Sequence, residues 1–182
     1  MQTTLKPVTH AWAVFVFMLM VVLSPAGARQ PGDLEPLRGF HQVEARVTGI
    51  SDGDTAWIAL PTGGVRVRLA QIDAPESGQA FGKKSEQALR DLIGKRIVVA
   101  TWREVDRYGR PIVQLTVDGV DVNAELVRLG MAWAYKAHLK DKRLLEFEAA
   151  AKAAKLGLWN DPHPQAPWDW RKARRGGSLD SW

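Results

Sequence analysis

The chain has 182 residues, 46% of them hydrophobic and 25% charged, which is enough apolar material for one domain around a single core. It carries 25 Lys and Arg against 20 Asp and Glu, a formal charge of +5, so polyanionic partners (nucleic acid or an anionic surface) are favoured. With no cysteine, disulfides, thiolate metal sites and cysteine nucleophiles are excluded.

Residues 1–28 read as a signal peptide. Lys6 is the only charged side chain before Arg29, and Ala11 to Leu23 is an unbroken apolar run too short to span a membrane comfortably. Ser24-Pro25-Ala26-Gly27-Ala28 fits a signal-peptidase site, with cleavage expected after Ala28. The folded part is then secreted or periplasmic; the alternative is an N-terminal segment retained as an anchor.

Residues 29–40 read as a polar linker with Pro and Gly. Val43 to Ile50 is predicted as a strand, followed by the turn Ser51-Asp52-Gly53-Asp54. Thr55 to Leu60 is a second strand, and Pro61-Thr62-Gly63-Gly64 turns into a third. There Val65, Val67 and Leu69 share one side, and Arg66, Arg68 and Ala70 the other. Pro75 bars helix at Ala74, so this strand ends in a turn that carries Asp73 and Glu76.

Phe81 to Ile93 is predicted helical, with Ala88, Leu89, Leu92 and Ile93 as its apolar stripe and Gly94 as its stop. Arg96 to Trp102 and Ile112 to Val117 are strands separated by the loop Asp106 to Pro111. Val122 to Leu129 is a second helix, Met131 to Tyr135 is extended, and Lys140 to Leu156 is a third helix of good helix formers. Leu158-Trp159 is expected to dock back on the domain. Residues 161–182 form a tail in which Pro162, Pro164 and Pro167 are expected to interrupt regular structure. The cluster Arg171, Lys172, Arg174 and Arg175 reads there as a solvated extension.

Five strands in a Greek-key-compatible order, with a helix between the third and fourth, make the pattern of an α+β fold. The expected architecture is a five-stranded OB-fold barrel with about three helices over residues 41–160. Antiparallel pairing of the second and third strands brings Asp54 near Asp73. Two carboxylates without His or Cys nearby are hard oxygen ligands suited to Ca²⁺ or Mg²⁺. Arginines beside them suit a phosphodiester, because guanidinium forks match phosphate oxygens.

The motifs Asp52-Gly53-Asp54-Thr55, Val67-Arg68-Leu69 with Ile72-Asp73-Ala74-Pro75-Glu76, and Asp106-Arg107-Tyr108-Gly109-Arg110 occur in order. Val122 to Gly130 and Lys155 to Trp159 accompany them. In these motifs, from about His41 to Asn160, the chain resembles the staphylococcal-type thermonucleases. The resemblance implies that Asp54, Asp73 and the backbone carbonyl of Ala74 bind Ca²⁺. Ala74 stands where the family often has Thr.

The resemblance further implies that Glu76 acts as general base or orients the attacking water. Arg68 and Arg110 would bind the phosphate and stabilise the transition state, with Arg107, Tyr108 and Tyr135 around the nucleotide and Asp52 behind the metal ligands. It implies hydrolysis of DNA and RNA, at single-stranded or fraying regions, to 3′-phosphate ends. No obligate protein partner is implied, and a monomer is expected. Ser77 to Phe81 is shorter than in the family's best-known member and lacks its lysine-rich loop.

Each group also has a structural reading. Asp52 and Asp54 could be turn residues, Arg68 could pair with Asp73 or Glu76, Arg110 could close its loop, and Tyr108 and Tyr135 could be core-edge aromatics. The functional alternative to a nuclease is a non-catalytic OB-fold nucleic-acid-binding protein of the cell envelope.

Overall fold

Alternation of apolar residues produces long, curved strands. In the computed structural model, which describes residues 37–176, strand β1 spans His41–Asp52, β2 Thr55–Leu60 and β3 Gly63–Leu69. The expected signal peptide and its cleavage site lie outside the described residues. β1 pairs antiparallel with β2 through its C-terminal half and with β5 (Ile97–Val105) through His41 to Arg46. Irregularities in the β1–β2 register between Val47 and Gly49, and again between Ile50 and Asp52, let one strand bend across both partners.

Strand β6 (Pro111–Val117) pairs antiparallel with β5 and parallel with β3, with Arg68 opposite Ile112. That last pairing closes the order β3-β2-β1-β5-β6 into a five-stranded barrel, the expected OB-fold. Val47, Ile58, Val65, Val67, Leu69, Val98 and Leu115 fill it and are fully buried. Each such side chain contributes roughly 1.5–3 kcal/mol on removal from water.

The remaining elements cover the barrel. Helix α1 (Gly82–Ile93) buries Ser85, Leu89 and Ile93, and helix α2 (Val122–Arg128) buries Leu126 and Val127. Asp121 caps α2 by accepting from the Ala124 N–H at 3.0 Å. Two-residue strands β4 (Ile72–Asp73) and β8 (Trp133–Ala134) pair antiparallel, and β7 (Val120–Asp121) extends the hairpin from β6. Helix α3 (Arg143–Ala153) is shorter than its helix-forming composition suggests. A 3₁₀ turn at Lys136–His138 precedes it, and Lys142 offers no side-chain cap.

Two expectations need correction. The ordered domain starts before His41, because Leu37 is buried and its carbonyl accepts from Trp102 Nε1 at 2.8 Å. The tail is also not irregular throughout: residues 161–166, with Pro162 and Pro164, carry no helix or strand, but Pro167–Gly176 is a fourth helix, α4. Pro167 occupies its first position, where a missing N–H costs nothing and the fixed φ favours the helix, so that proline starts structure instead of breaking it.

Candidate active site

The site is assembled at the end of the β2–β3 hairpin. Asp52 Oδ1 accepts from the Asp54 N–H at 3.1 Å and holds the preceding turn. Gly53 has no room for a side chain: a Cβ there would stand 2.6 Å from Ser85 Cβ and 2.7 Å from Ala74 Cβ. The hairpin register pairs Thr55 with Arg68, and Leu69 N–H donates to the Asp54 carbonyl at 2.8 Å. Asp54 therefore lies across from the end of β3. Gln71, in left-handed backbone with φ 63°, then turns the chain into β4, whose pairing with β8 fixes Asp73.

Asp54 and Asp73 are both buried, and Arg68 joins them. Its Nη2 lies 3.0 Å from Asp54 Oδ2 and 2.9 Å from Asp73 Oδ1, while Nη1 donates to the carbonyls of Leu69 at 2.7 Å and Ile72 at 2.9 Å. Asp54 also accepts from the Ala74 N–H at 2.8 Å and the Thr55 hydroxyl at 3.1 Å. Burial pushes the Asp54 carboxyl up from 3.8 to about 7; Arg68 opposes that rise, and Asp52 and Asp73 add to it. The expected proximity of Asp54 and Asp73 is thus observed, and Arg68 pairs with these two acids.

Glu76 follows on the loop toward α1 and is partly exposed. Its partner is Arg171, which lies in the segment read from sequence as a solvated tail. Arg171 Nη1 is 2.6 Å from Glu76 Oε1 and 3.2 Å from Asp73 Oδ1, and its Nη2 is 2.7 Å from Asp73 Oδ2. These hydrogen bonds, Asp73 first, raise the Arg171 guanidinium further above its ordinary pKa. The solvated-extension reading is therefore wrong for Arg171, because α4 is packed on the rim of the site. Gln79 Nε2 donates to the Gln165 carbonyl at 2.6 Å, Ala166 is buried, and Trp168 stacks on Tyr135 with centroids 5.7 Å apart. The missed signal was the spacing of Trp168 and Arg171, three residues apart behind a proline, which places both on one helix face.

The other expected residues sit apart from this cluster. Arg110 Nε pairs with Asp106 Oδ2 at 2.7 Å at the tip of the β5–β6 hairpin. Asp106 Oδ1 also accepts from the backbone N–H of Tyr108 at 2.8 Å and of Arg110 at 2.9 Å. Tyr108 is 68% exposed, with the Arg107 guanidinium 4.8 Å from its ring centre and a hydrogen bond from Arg107 to its hydroxyl. The parallel register of Arg68 with Ile112 puts this hairpin at the barrel end that carries Arg68. Tyr135 lies between Trp168 and His138, beside β8. Asp52 supports the Asp54 turn and lies 3.9 Å from Arg66.

Among the described residues, no group of three or more His, Asp or Glu side chains converges closely enough to hold an ion. The donor chemistry nevertheless fits a hard cation. Asp54, Asp73 and Glu76 are oxygen donors, and the positions between them are filled by positive guanidinium groups, Arg68 and Arg171, acting as stand-in cations. Ala74 is buried beside Asp54, to which its backbone N–H donates.

Comparison with known proteins agrees with this geometry. A family model described as Staphylococcal nuclease homologue matches residues 66–161. The chain is 40% identical over 178 residues to a protein of Shigella flexneri named micrococcal nuclease, covering 90% of this chain and 92% of that one. It is 37% identical over 171 residues to Protein ParB of Escherichia coli, covering 88% and 89%. An uncharacterized endonuclease of Haemophilus influenzae is 40% identical over 131 residues, 71% of this chain and 74% of its own. An OB-fold barrel with paired acids and an arginine at the mouth of its second hairpin, in a chain with relatives of this extent, makes the protein a member of the staphylococcal nuclease family.

Proposed function

We propose that the protein is a calcium-dependent nuclease that hydrolyses phosphodiester bonds of DNA and RNA to 3′-phosphate ends, acting outside the cytoplasm. The observation that carries this reading is the convergence of Asp54 and Asp73 on the single Nη2 of Arg68, with Glu76 at the exit of the same segment. Hydrolysis of a diester anion needs its charge neutralised, a positioned water and a group to take the proton.

Asp54, Asp73 and the Ala74 carbonyl would hold Ca²⁺, which would supply a Lewis acid for the phosphate. Glu76, partly exposed on its loop, accepts the proton of the attacking water. Arg68, tied to the Leu69 and Ile72 carbonyls, presents a fixed positive charge to the phosphate oxygens. Arg110, once it exchanges Asp106 for a phosphate oxygen, adds the second charge from the facing hairpin. Arg107, Tyr108 and Tyr135 flank the nucleotide, and the exposed Tyr108 ring stacks most readily on unpaired bases, which favours single-stranded or fraying substrate. The protein works as a monomer.

The test is hydrolysis of heat-denatured DNA with Ca²⁺, with Mg²⁺ and with a chelator, alongside Glu76→Ala and Arg68→Ala. Cleavage that requires Ca²⁺ and collapses in both variants is the expected result. Binding without cleavage under every metal would overturn it and leave a non-catalytic nucleic-acid-binding OB-fold.

A further inference from the structure

Asp73 has no free oxygen. Its Oδ1 is taken by Arg68 at 2.9 Å and Arg171 at 3.2 Å, and its Oδ2 by Arg171 at 2.7 Å. The residue is 1% exposed, so an ion that binds it competes with the guanidinium groups that cover it.

The two arginines are not equally replaceable. Arg68 is a strand residue, 17% exposed, and two backbone carbonyls anchor its other nitrogen. Arg171 is 37% exposed and enters from a helix, and among the described residues its hydrogen-bond partners are the carboxylates of Asp73 and Glu76. It bridges the two carboxylates, one nitrogen contacting both, as a cation between them would. Charge balance points the same way. Ionised Asp54, Asp73 and Glu76 outweigh Arg68 and Arg171 by one negative charge, and exchanging Arg171 for a divalent cation brings the cluster to neutrality.

The helix need not leave for this to happen. Trp168 stacks on Tyr135 and meets Trp133 edge-on at 5.6 Å, and Trp170 covers Gly78, so the first turn of α4 stays seated while the long Arg171 side chain swings outward. From this geometry we propose that Arg171, held by Asp73 and Glu76, is a built-in counter-cation of the nuclease site that competes with the calcium ion for Asp73. The inference rests on the nuclease reading above for the identity of the ion. It adds to that reading a residue of α4 beyond the family match, which sets how much calcium the site needs.

Calcium binding to the full chain is measured by titration calorimetry and by the Ca²⁺-dependent rise in melting temperature, for the wild type, Arg171→Ala and Arg171→Lys. Circular dichroism and tryptophan emission verify that α4 is retained. Losing one charge-assisted competitor should tighten calcium binding roughly tenfold in Arg171→Ala. Arg171→Lys, which keeps the charge but not the fork, should fall between. The calcium concentration for half-maximal DNA cleavage should drop in the same order.

Unchanged or weaker calcium binding in Arg171→Ala overturns the proposal, as does the absence of calcium binding in all three proteins. If α4 is lost in Arg171→Ala, Arg171→Lys decides, and calcium affinity no higher than wild type overturns the proposal. These results are read from binding, so they are separate from the cleavage assay that judges the nuclease reading itself.

Discussion

Two acid–arginine pairs face the same end of the barrel and are built in opposite ways. Arg68 meets Asp54 and Asp73, two buried acids that the β2–β3 hairpin and the short strand β4 bring together. Arg110 meets Asp106 four residues away, on a hairpin tip whose turn the same aspartate caps. The first group needs a hairpin buried by the rest of the barrel, whereas the second needs only its own turn. Buried charges that lose a partner are costly, whereas a half-buried pair formed within one turn loses less when it is broken. The contrast separates a preorganised half of the site from an adjustable half.

The largest expected effect separates the halves directly. Arg68→Ala and Arg110→Ala should each lower the cleavage rate by roughly a hundred- to thousandfold, the usual loss for a donor aimed at developing charge. Only Arg68→Ala should also lower unfolding stability substantially, by roughly 3 kcal/mol, because it leaves two buried carboxylates together. Urea melts in the presence of chelator check this, and equal destabilisation by Arg110→Ala would erase the distinction.

The next effect belongs to Asp54. Its folded-state pKa is raised to about 7 from 3.8, so its contribution to stability is fully present below 3.8 and is lost as pH climbs through about 7. In chelator, Asp54→Asn should therefore gain stability relative to wild type between those limits, on the order of 2–4 kcal/mol by pH 8. Melts of both proteins across that range give the difference, and a flat difference would place the strain elsewhere.

Glycines offer a milder comparison. Gly53→Ala drives a methyl against Ala74 and Ser85, and overpacking of that kind costs about 1–3 kcal/mol. Gly109→Ala, at φ 76° on the hairpin tip, should cost about 1 kcal/mol through backbone strain. Thermal melts rank the two. Smallest of all, Trp168→Ala should cost about 1 kcal/mol of aromatic contact and show as faster proteolysis within α4 while the barrel stays intact.

Sequence reasoning succeeded where one local rule was sufficient. Val65, Val67 and Leu69 alternate with Arg66 and Arg68, so the strand and its inward face followed from a period of two. Asp54 and Asp73 followed from the hairpin register. Helix α4 did not, because its short, charged and proline-led sequence gains its stability from tertiary contacts: Trp168 on Tyr135 and Trp133, and Arg171 on Asp73 and Glu76. Nor did the start of α3. Its alanines, lysines and glutamates favour helix from Lys140, yet Gln71 Oε1 accepts from the Lys140 N–H at 2.6 Å and the Asp141 N–H at 2.7 Å, so that stretch serves a neighbouring turn.

The span of the Arg171–Asp73 pair has a kinetic meaning. The two residues are 98 positions apart, so their contact closes a far longer loop than the hairpin contacts and belongs among the later ones to form. Arg68 reaches Asp54 through a short hairpin and is available early. A chain emerging N-terminus first therefore carries Asp73 and Glu76 without the Arg171 guanidinium until the barrel strands have all been made.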